Sequence, residues 1–293
     1  MAGEAAERYM ARVDAVLAQR KRLRGEEPPG DLFAGLAADH PLMTADPRRP
    51  LDSNLAVIAD YVEADDLIVD AGGGAGRISL PLAFRCRGIV NVEPSLAMAA
   101  GFRANAASAG IDNISVIESD WLAAEPPRGT LALANHVAYH TRDIVPFVEK
   151  LEQAGRRRVV ITVNDPPPPS WHRELFQALH GEPEIVEPGH VELANVLWEM
   201  GILPDIRVLP NPAQPLVAVP TREAVITRSL AHYRPQWSFW PLGTDLEGRL
   251  RSMMEALRRI VRSRRQWLFA PLDHPWPRDL ADLASDGRQG RPL

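Results

Sequence analysis

Cysteine is nearly absent: Cys86 is the only one in 293 residues. That excludes an internal disulfide framework and a thiolate metal cluster, and it fits a reducing compartment. Long apolar runs are lacking as well. No stretch of about 18 apolar residues runs uninterrupted, so no membrane-spanning helix is expected. The opening residues, Met1-Ala2-Gly3-Glu4, meet charge at once, unlike a secretory signal, and point to a cytoplasmic protein. A strong charge of one sign is also missing. The net charge of -5 creates no field that would draw nucleic acid or an anionic membrane surface. Lys21 and Lys150 are the only lysines, so arginine carries the positive charge. Together with abundant Ala and Pro, this bias suggests a GC-rich bacterial genome and says nothing of function.

What is present is enough for a core, with 45% hydrophobic residues in a chain of one large or two modest domains. Residues 5–24 read as a helix with Tyr9, Val13, Val16 and Leu17 on one stripe. Pro28-Pro29-Gly30 breaks the chain, and Asp31 is placed to cap a second short helix through Ala38. From residue 53 helices alternate with short strands. Ser53 is the expected cap of a helix bearing Leu55, Ile58, Ala59 and Val62. Strands are expected at 67–69, 88–92, 115–117, 130–134 and 159–163, apolar almost throughout as strands buried on both faces are. Helices fill 76–84, kinked at Pro81, then 95–109 and a segment capped by Thr141 and ended by Gly155.

Further helices are expected near 170–180, 189–200, 222–233 and 244–264, with strands near 205–209 and 266–270. The pattern predicts an α/β fold with a doubly wound, mostly parallel, seven-stranded sheet covered by helices on both faces. Residues 1–52 form a helical extension and candidate lid, 53–270 the main domain, and 271–293 a tail.

Asp70-Ala71-Gly72-Gly73-Gly74-Ala75-Gly76 follows the first strand, where ligands bind in such folds. A Walker loop would end in Gly-Lys-Ser/Thr, but Gly76 precedes Arg77-Ile78. A dinucleotide fingerprint fails at its sixth position from any starting glycine. Asp70 would also face a pyrophosphate with like charge in a half-buried cleft. A ligand with a cation beside the loop suits Asp70 better.

The complete spacing Asp-x-Gly-x-Gly-x-Gly, at Asp70, Gly72, Gly74 and Gly76, resembles motif I of class I methyltransferases. The resemblance spans roughly residues 53–165. It implies a Rossmann-like domain with S-adenosyl-L-methionine as cofactor, whose methionyl part is held by Asp70 and the loop. It further implies that Glu93, closing the second strand, accepts from both ribose hydroxyls. Asp120 would accept from the adenine amino group, with Trp121 packed on the ring. Asn135-His136 would line the methionyl and methyl-donor side.

Methyl transfer to a hydroxyl or amine needs a group to take a proton, and histidine suits that role near neutral pH. His136 and His140, flanking Tyr139, are the candidate bases, although a histidine here also serves to shape the pocket. The expected function is in-line methyl transfer to a small-molecule acceptor. RNA or protein methylation, and a non-catalytic cofactor-binding regulator or assembly partner, stay open as alternatives. Asn164-Asp165-Pro166-Pro167 follows the wrong strand for an amino-directed nucleic-acid methyltransferase and reads as a stiff loop. Cys86 reads as structural. The arginines from Arg258 to Arg265 read as a solvated helix face. No histidines show metal-ligand spacing. Trp237-Ser238-Phe239-Trp240 is a candidate lining for an apolar acceptor.

Overall fold

The structure, a computed structural model, describes residues 3–24, 31, 46–164, 176–177 and 181–209. Five consecutive apolar segments become strands: β1 (Leu67–Ala71), β2 (Gly88–Val92), β3 (Ile114–Ile117), β4 (Gly129–Asn135) and β5 (Gly155–Thr162). All pair in parallel, in the order β3-β2-β1-β4-β5. The helices are α1 (Glu4–Arg24), α2 (Ser53–Ala59), α3 (Ser79–Leu82), α4 (Leu96–Ser108), α5 (Ile144–Ala154) and α6 (His190–Glu199). An α/β fold with a five-stranded parallel sheet is thus present among the described residues.

Alternation along the strands divides the core into two layers. Val69, Ala71, Val90, Val92, Ala132 and Ala134 meet Tyr9 and Val13 of α1, Phe147 and Leu151 of α5, and Val196 of α6. Ile68, Ile89, Leu131 and Leu133 face the other way, against Leu55 of α2, Leu80 of α3 and Phe102 of α4. Each fully buried Val, Leu, Ile or Phe among them contributes about 1.5–3 kcal/mol. The N-terminal helix belongs to this core. Tyr9 donates its hydroxyl to the Ala138 carbonyl at 2.7 Å, and the Glu199 carboxylate accepts the Ala5 and Ala6 N–H groups at 3.1 Å each.

Compact packing separates two units. One holds Met1–Leu17, Pro28–Pro167 and Glu187–Pro210, and the other Ala18–Glu27, Pro168–Val186 and Asn211–Leu293. Within the second, Gln19 donates to the Pro183 carbonyl and accepts from the Ile185 N–H, while Arg22 pairs with Glu182.

Several local expectations shift. Leu17 is half exposed, off the buried stripe. Asp52, one residue before Ser53, caps α2 by accepting the Asn54 and Leu55 N–H groups. Asp143 takes the N-cap position expected for Thr141. The helix expected over 76–84 shrinks to α3, because Gly76 has φ +85° and Pro81 removes a donor. β5 begins earlier than expected and carries exposed Arg156, Arg157 and Arg158 in its first half. Residues 202–209 form no strand: no described strand pairs with them, and alternating apolar residues alone do not make one.

The segment 32–38, the expected helices near 222–233 and 244–264, most of that near 170–180, the strand near 266–270, the 258–265 arginines, the 237–240 patch and the 271–293 tail lie outside the described residues.

Candidate functional site

β1 and β4 are neighbours whose crossovers leave in opposite directions, so a crevice opens between their carboxyl ends. The loops after these strands meet there. A Cβ at Gly72 would lie 2.8 Å from Val137 Cγ2, and the Gly72 N–H donates to the Val92 carbonyl at 2.8 Å. Gly72, Gly74 and Gly76 all adopt left-handed φ, at +71°, +56° and +85°. Only glycine takes this succession without steric cost.

Side chains from β2 hold the loop. Asp70 and Asn91 are in register on adjacent strands, and Glu93 follows on the same face of β2. Asn91 Oδ1 accepts the Gly73 N–H at 3.1 Å, and its amide donates to the Gly74 carbonyl at 3.0 Å. Glu93 Oε2 accepts the Gly74 N–H at 2.9 Å, and Oε1 accepts the Ser95 N–H at 2.8 Å. From α4, Asn105 donates to the Ala75 carbonyl at 3.0 Å. The N–H groups of Gly72, Gly73 and Gly74 are therefore all engaged. A phosphate binder keeps such groups for its ligand.

Asp70 lies beneath the loop, where a Cβ on Gly73 would overlap its Oδ2. Both carboxyl oxygens are buried without a hydrogen bond, as is the Ser79 hydroxyl. Burial pushes the Asp70 carboxyl up to about 7; nearby Ser79 opposes the rise, and the Glu93 charge adds to it. Burial also raises Glu93, against the N–H donors of Ser95 and Gly74, and Asp31 contributes further in the same direction. This end of the sheet thus offers two buried carboxyl groups and few open donors. It is suited to a cation.

At the end of β4, Asn135 accepts a hydrogen bond from Thr162 Oγ1 of β5. His136 has φ +59°, the one described non-glycine residue in the left-handed region. It is held there by its N–H donating to the Thr162 carbonyl at 3.0 Å, and by its Nδ1 lying 2.6 Å from the Tyr139 hydroxyl. Tyr139 Oη also accepts the Asn164 N–H at 2.8 Å. A bulky residue in this conformation is costly and persists where its surroundings dictate it, often at functional sites. His140 is exposed and meets the Tyr139 ring edge-on.

The structure brings together Asp70, Gly72, Gly74, Gly76 and Glu93, with Asn135 at the end of adjoining β4 and His136 just after it. Asp120 lies apart from these bonded contacts. It is exposed after β3, where its Oδ1 accepts the Leu122 N–H at 2.8 Å. Trp121 takes a core position in place of the expected ring platform. Its indole N–H donates to the Phe147 carbonyl at 3.3 Å, its ring meets Phe147 edge-on, and Lys150 lies over it. A large ring buried against α5 gains apolar contacts there while its N–H keeps a partner.

Asn91, Asn105 and Asp31 were not foreseen as loop or corner supports. The signal for Asn91 was available, since it is the one polar residue inside Gly88-Ile89-Val90-Asn91-Val92. Asp31 Oδ2 accepts from Ser95 Oγ at 2.8 Å and from the Ala97 N–H at 3.0 Å. It caps α4 from 64 residues away.

No protein-family model matches this chain, and no curated protein sequence does. Solved methyltransferase structures are among those it resembles, at low similarity. An S-adenosylmethionine-dependent methyltransferase from Aquifex aeolicus matches at 16% identity and TM-score 0.41, over 59% of this chain and 89% of that one. The magnesium protoporphyrin IX methyltransferase of Synechocystis, crystallised with S-adenosylmethionine, matches at 15% identity and TM-score 0.39, over 68% and 87%. The YcgJ protein of Bacillus subtilis matches at 15% and 0.39, over 50% of this chain and 66% of its own, so the chain spans about two thirds of that relative. Likeness at this level assigns no activity, and the chemistry is read from the loop, its two carboxyl groups and the strained histidine.

Proposed function

We propose that this protein binds S-adenosyl-L-methionine and transfers its methyl group to a small-molecule acceptor. One observation carries the reading: the glycine loop has its N–H groups tied to Asn91 and Glu93 while Asp70 lies beneath it buried and unpaired. A pyrophosphate there would find few donors and two negative groups. A zwitterionic, cationic ligand would find compensation for Asp70 and an acceptor in Glu93.

The cofactor supplies a methyl group already activated by a sulfonium. The chain's part is to orient the reactants and to hold a proton. Glu93 supplies carboxylate lone pairs for a ribose diol, and Asn135 borders the methionyl side. His136 acts as a base when Nδ1 carries the proton and donates to Tyr139 Oη, which leaves Nε2 as the acceptor. Asp120 receives the adenine amino group through its remaining oxygen. His140, on the exposed side of the same turn, is the secondary candidate for proton transfer. A cytoplasmic, bacterial enzyme fits the composition.

Thermal melting with equal concentrations of S-adenosylhomocysteine, NAD+ and ATP tests the cofactor. Only the first should raise Tm, with a stabilisation of about 2.7 kcal/mol at a hundredfold excess over Kd. A rise with NAD+ alone overturns the reading. Incubation with methyl-labelled S-adenosylmethionine and separated small-molecule, RNA and protein fractions then tests the acceptor. Label should enter the small-molecule fraction, and label in RNA or protein would replace that half of the proposal.

A further inference from the structure

Glu93 is fixed from two directions, and one of these is itself held from far away in the chain. Its Oε2 is tied to the glycine loop and its Oε1 to the Ser95 backbone. Ser95 in turn is the N-cap of α4, with its hydroxyl accepting the Met98 N–H at 3.1 Å. That hydroxyl donates its own proton to Asp31, which also takes the Ala97 N–H. Donors at the start of α4 are thereby divided between two residues, Met98 to Ser95 and Ala97 to Asp31. Such end groups otherwise lack intrahelical partners. Ser95 is thus held through both its backbone and its side chain, and the Glu93 carboxylate moves with it.

Resting on the cofactor reading above, we propose that Asp31 is a positioning residue of the adenosyl site. By gripping Ser95 Oγ and the Ala97 N–H, it sets the carboxylate of Glu93 where a ribose diol meets it. The placement also has an electrostatic consequence. Asp31 brings a second negative charge to the corner closed by Glu93, which repels a phosphate on the ribose and leaves an unmodified diol as the fitting partner.

A purely structural cap would weaken every ligand of the site equally. A positioning residue acts through the ribose hydroxyls, so its loss should fall on ligands that have both. The test uses calorimetric titration of the full chain with S-adenosylhomocysteine and its 2′-deoxyribose analogue. Wild type should prefer the ribose form about tenfold, a difference typical of a hydrogen bond to a charged group. Asp31→Ala should lower that preference to about twofold. Asp31→Asn, which keeps an acceptor oxygen, should retain most of it. In Asp31→Ala/Glu93→Ala the two losses should fail to add, because both act on one contact. Equal weakening of both ligands by Asp31→Ala, or an unchanged preference, overturns the proposal while leaving the cofactor reading intact. Failure of folded wild type to bind either ligand overturns both. Should Asp31→Ala unfold, Ser95→Ala, which removes the hydroxyl that Asp31 grips, carries the same comparison.

Discussion

Glu93 Oε2 lies 2.9 Å from the Gly74 nitrogen and accepts its proton, so the carboxylate closing β2 and the middle of the glycine loop form one unit. Replacing Glu93 by Ala removes both this bond and the acceptor for a ribose. Binding of S-adenosylhomocysteine should weaken by about 1.5–3 kcal/mol. Stability should fall too, by about 1–2 kcal/mol, because a loop N–H loses its partner. Calorimetric titration and urea unfolding separate these effects. An unaltered Kd would remove Glu93 from the site.

Asp70 predicts a pH dependence. Its carboxyl sits near 7 in the folded chain, against an ordinary value of 3.8. A raised acid means that the folded state binds the proton more tightly than the unfolded one. Its contribution to stability is therefore fully favourable below about 4 and declines as pH rises, until the loss is complete above about 7. The linkage amounts to at most roughly 4 kcal/mol. Asp70→Asn should flatten this part of the profile, so that its stability relative to wild type improves between pH 5 and pH 8. Parallel profiles for the two proteins would refute a buried, unpaired acid.

The loop glycines should differ in a defined order. A Cβ at Gly74 meets only Met98 Sδ, at 3.9 Å, so Gly74→Ala carries mainly the left-handed backbone cost of about 1–2 kcal/mol. At Gly76 the new atom would lie 2.5 Å from Leu80 Cδ1 and 2.8 Å from the Phe102 ring, both in the core. Gly76→Ala should therefore cost more, about 2–4 kcal/mol. Chemical denaturation of the two variants checks the order, and equal costs would contradict the packing described.

His136 allows a separation of binding from chemistry. Asparagine tolerates left-handed φ, so His136→Asn should fold and keep cofactor affinity within about threefold. Methyl transfer should nevertheless drop by about 10²–10⁴-fold if the imidazole takes the proton. Tyr139→Phe removes the hydroxyl that joins His136 and the Asn164 N–H. It should reduce both turnover and stability. Full activity in His136→Asn would assign the histidine to pocket shape alone.

Much of this end of the sheet was legible because its signals are local. Asp70, the glycines and Glu93 occupy fixed steps after strands whose apolar runs are unmistakable, and the parallel order follows from their alternation with helices. What spacing could not supply was pairing across the chain. Asn91 bridges to the loop 17 residues back, and Asp31 reaches Ser95 across 64. Read locally, Asp31 is simply a cap before an apolar run, and its contacts with Ser95 and Ala97 at the start of α4 have no local signal. Trp121 shows the converse limit. An aromatic beside a site motif serves either the ligand or the core, and the presence of Phe147 on α5 decides it.

The most direct measurement titrates S-adenosylmethionine into wild type and Asp70→Asn at pH 7, in two buffers of different ionisation enthalpy. A cation placed over the loop favours ionised Asp70, so wild type should bind with micromolar Kd and release a fraction of a proton, whereas Asp70→Asn should release less and bind more weakly. Folded wild type that binds no S-adenosylmethionine, or binds it with the same proton release as Asp70→Asn, would contradict the assignment of Asp70 and its loop to a cationic adenosyl cofactor.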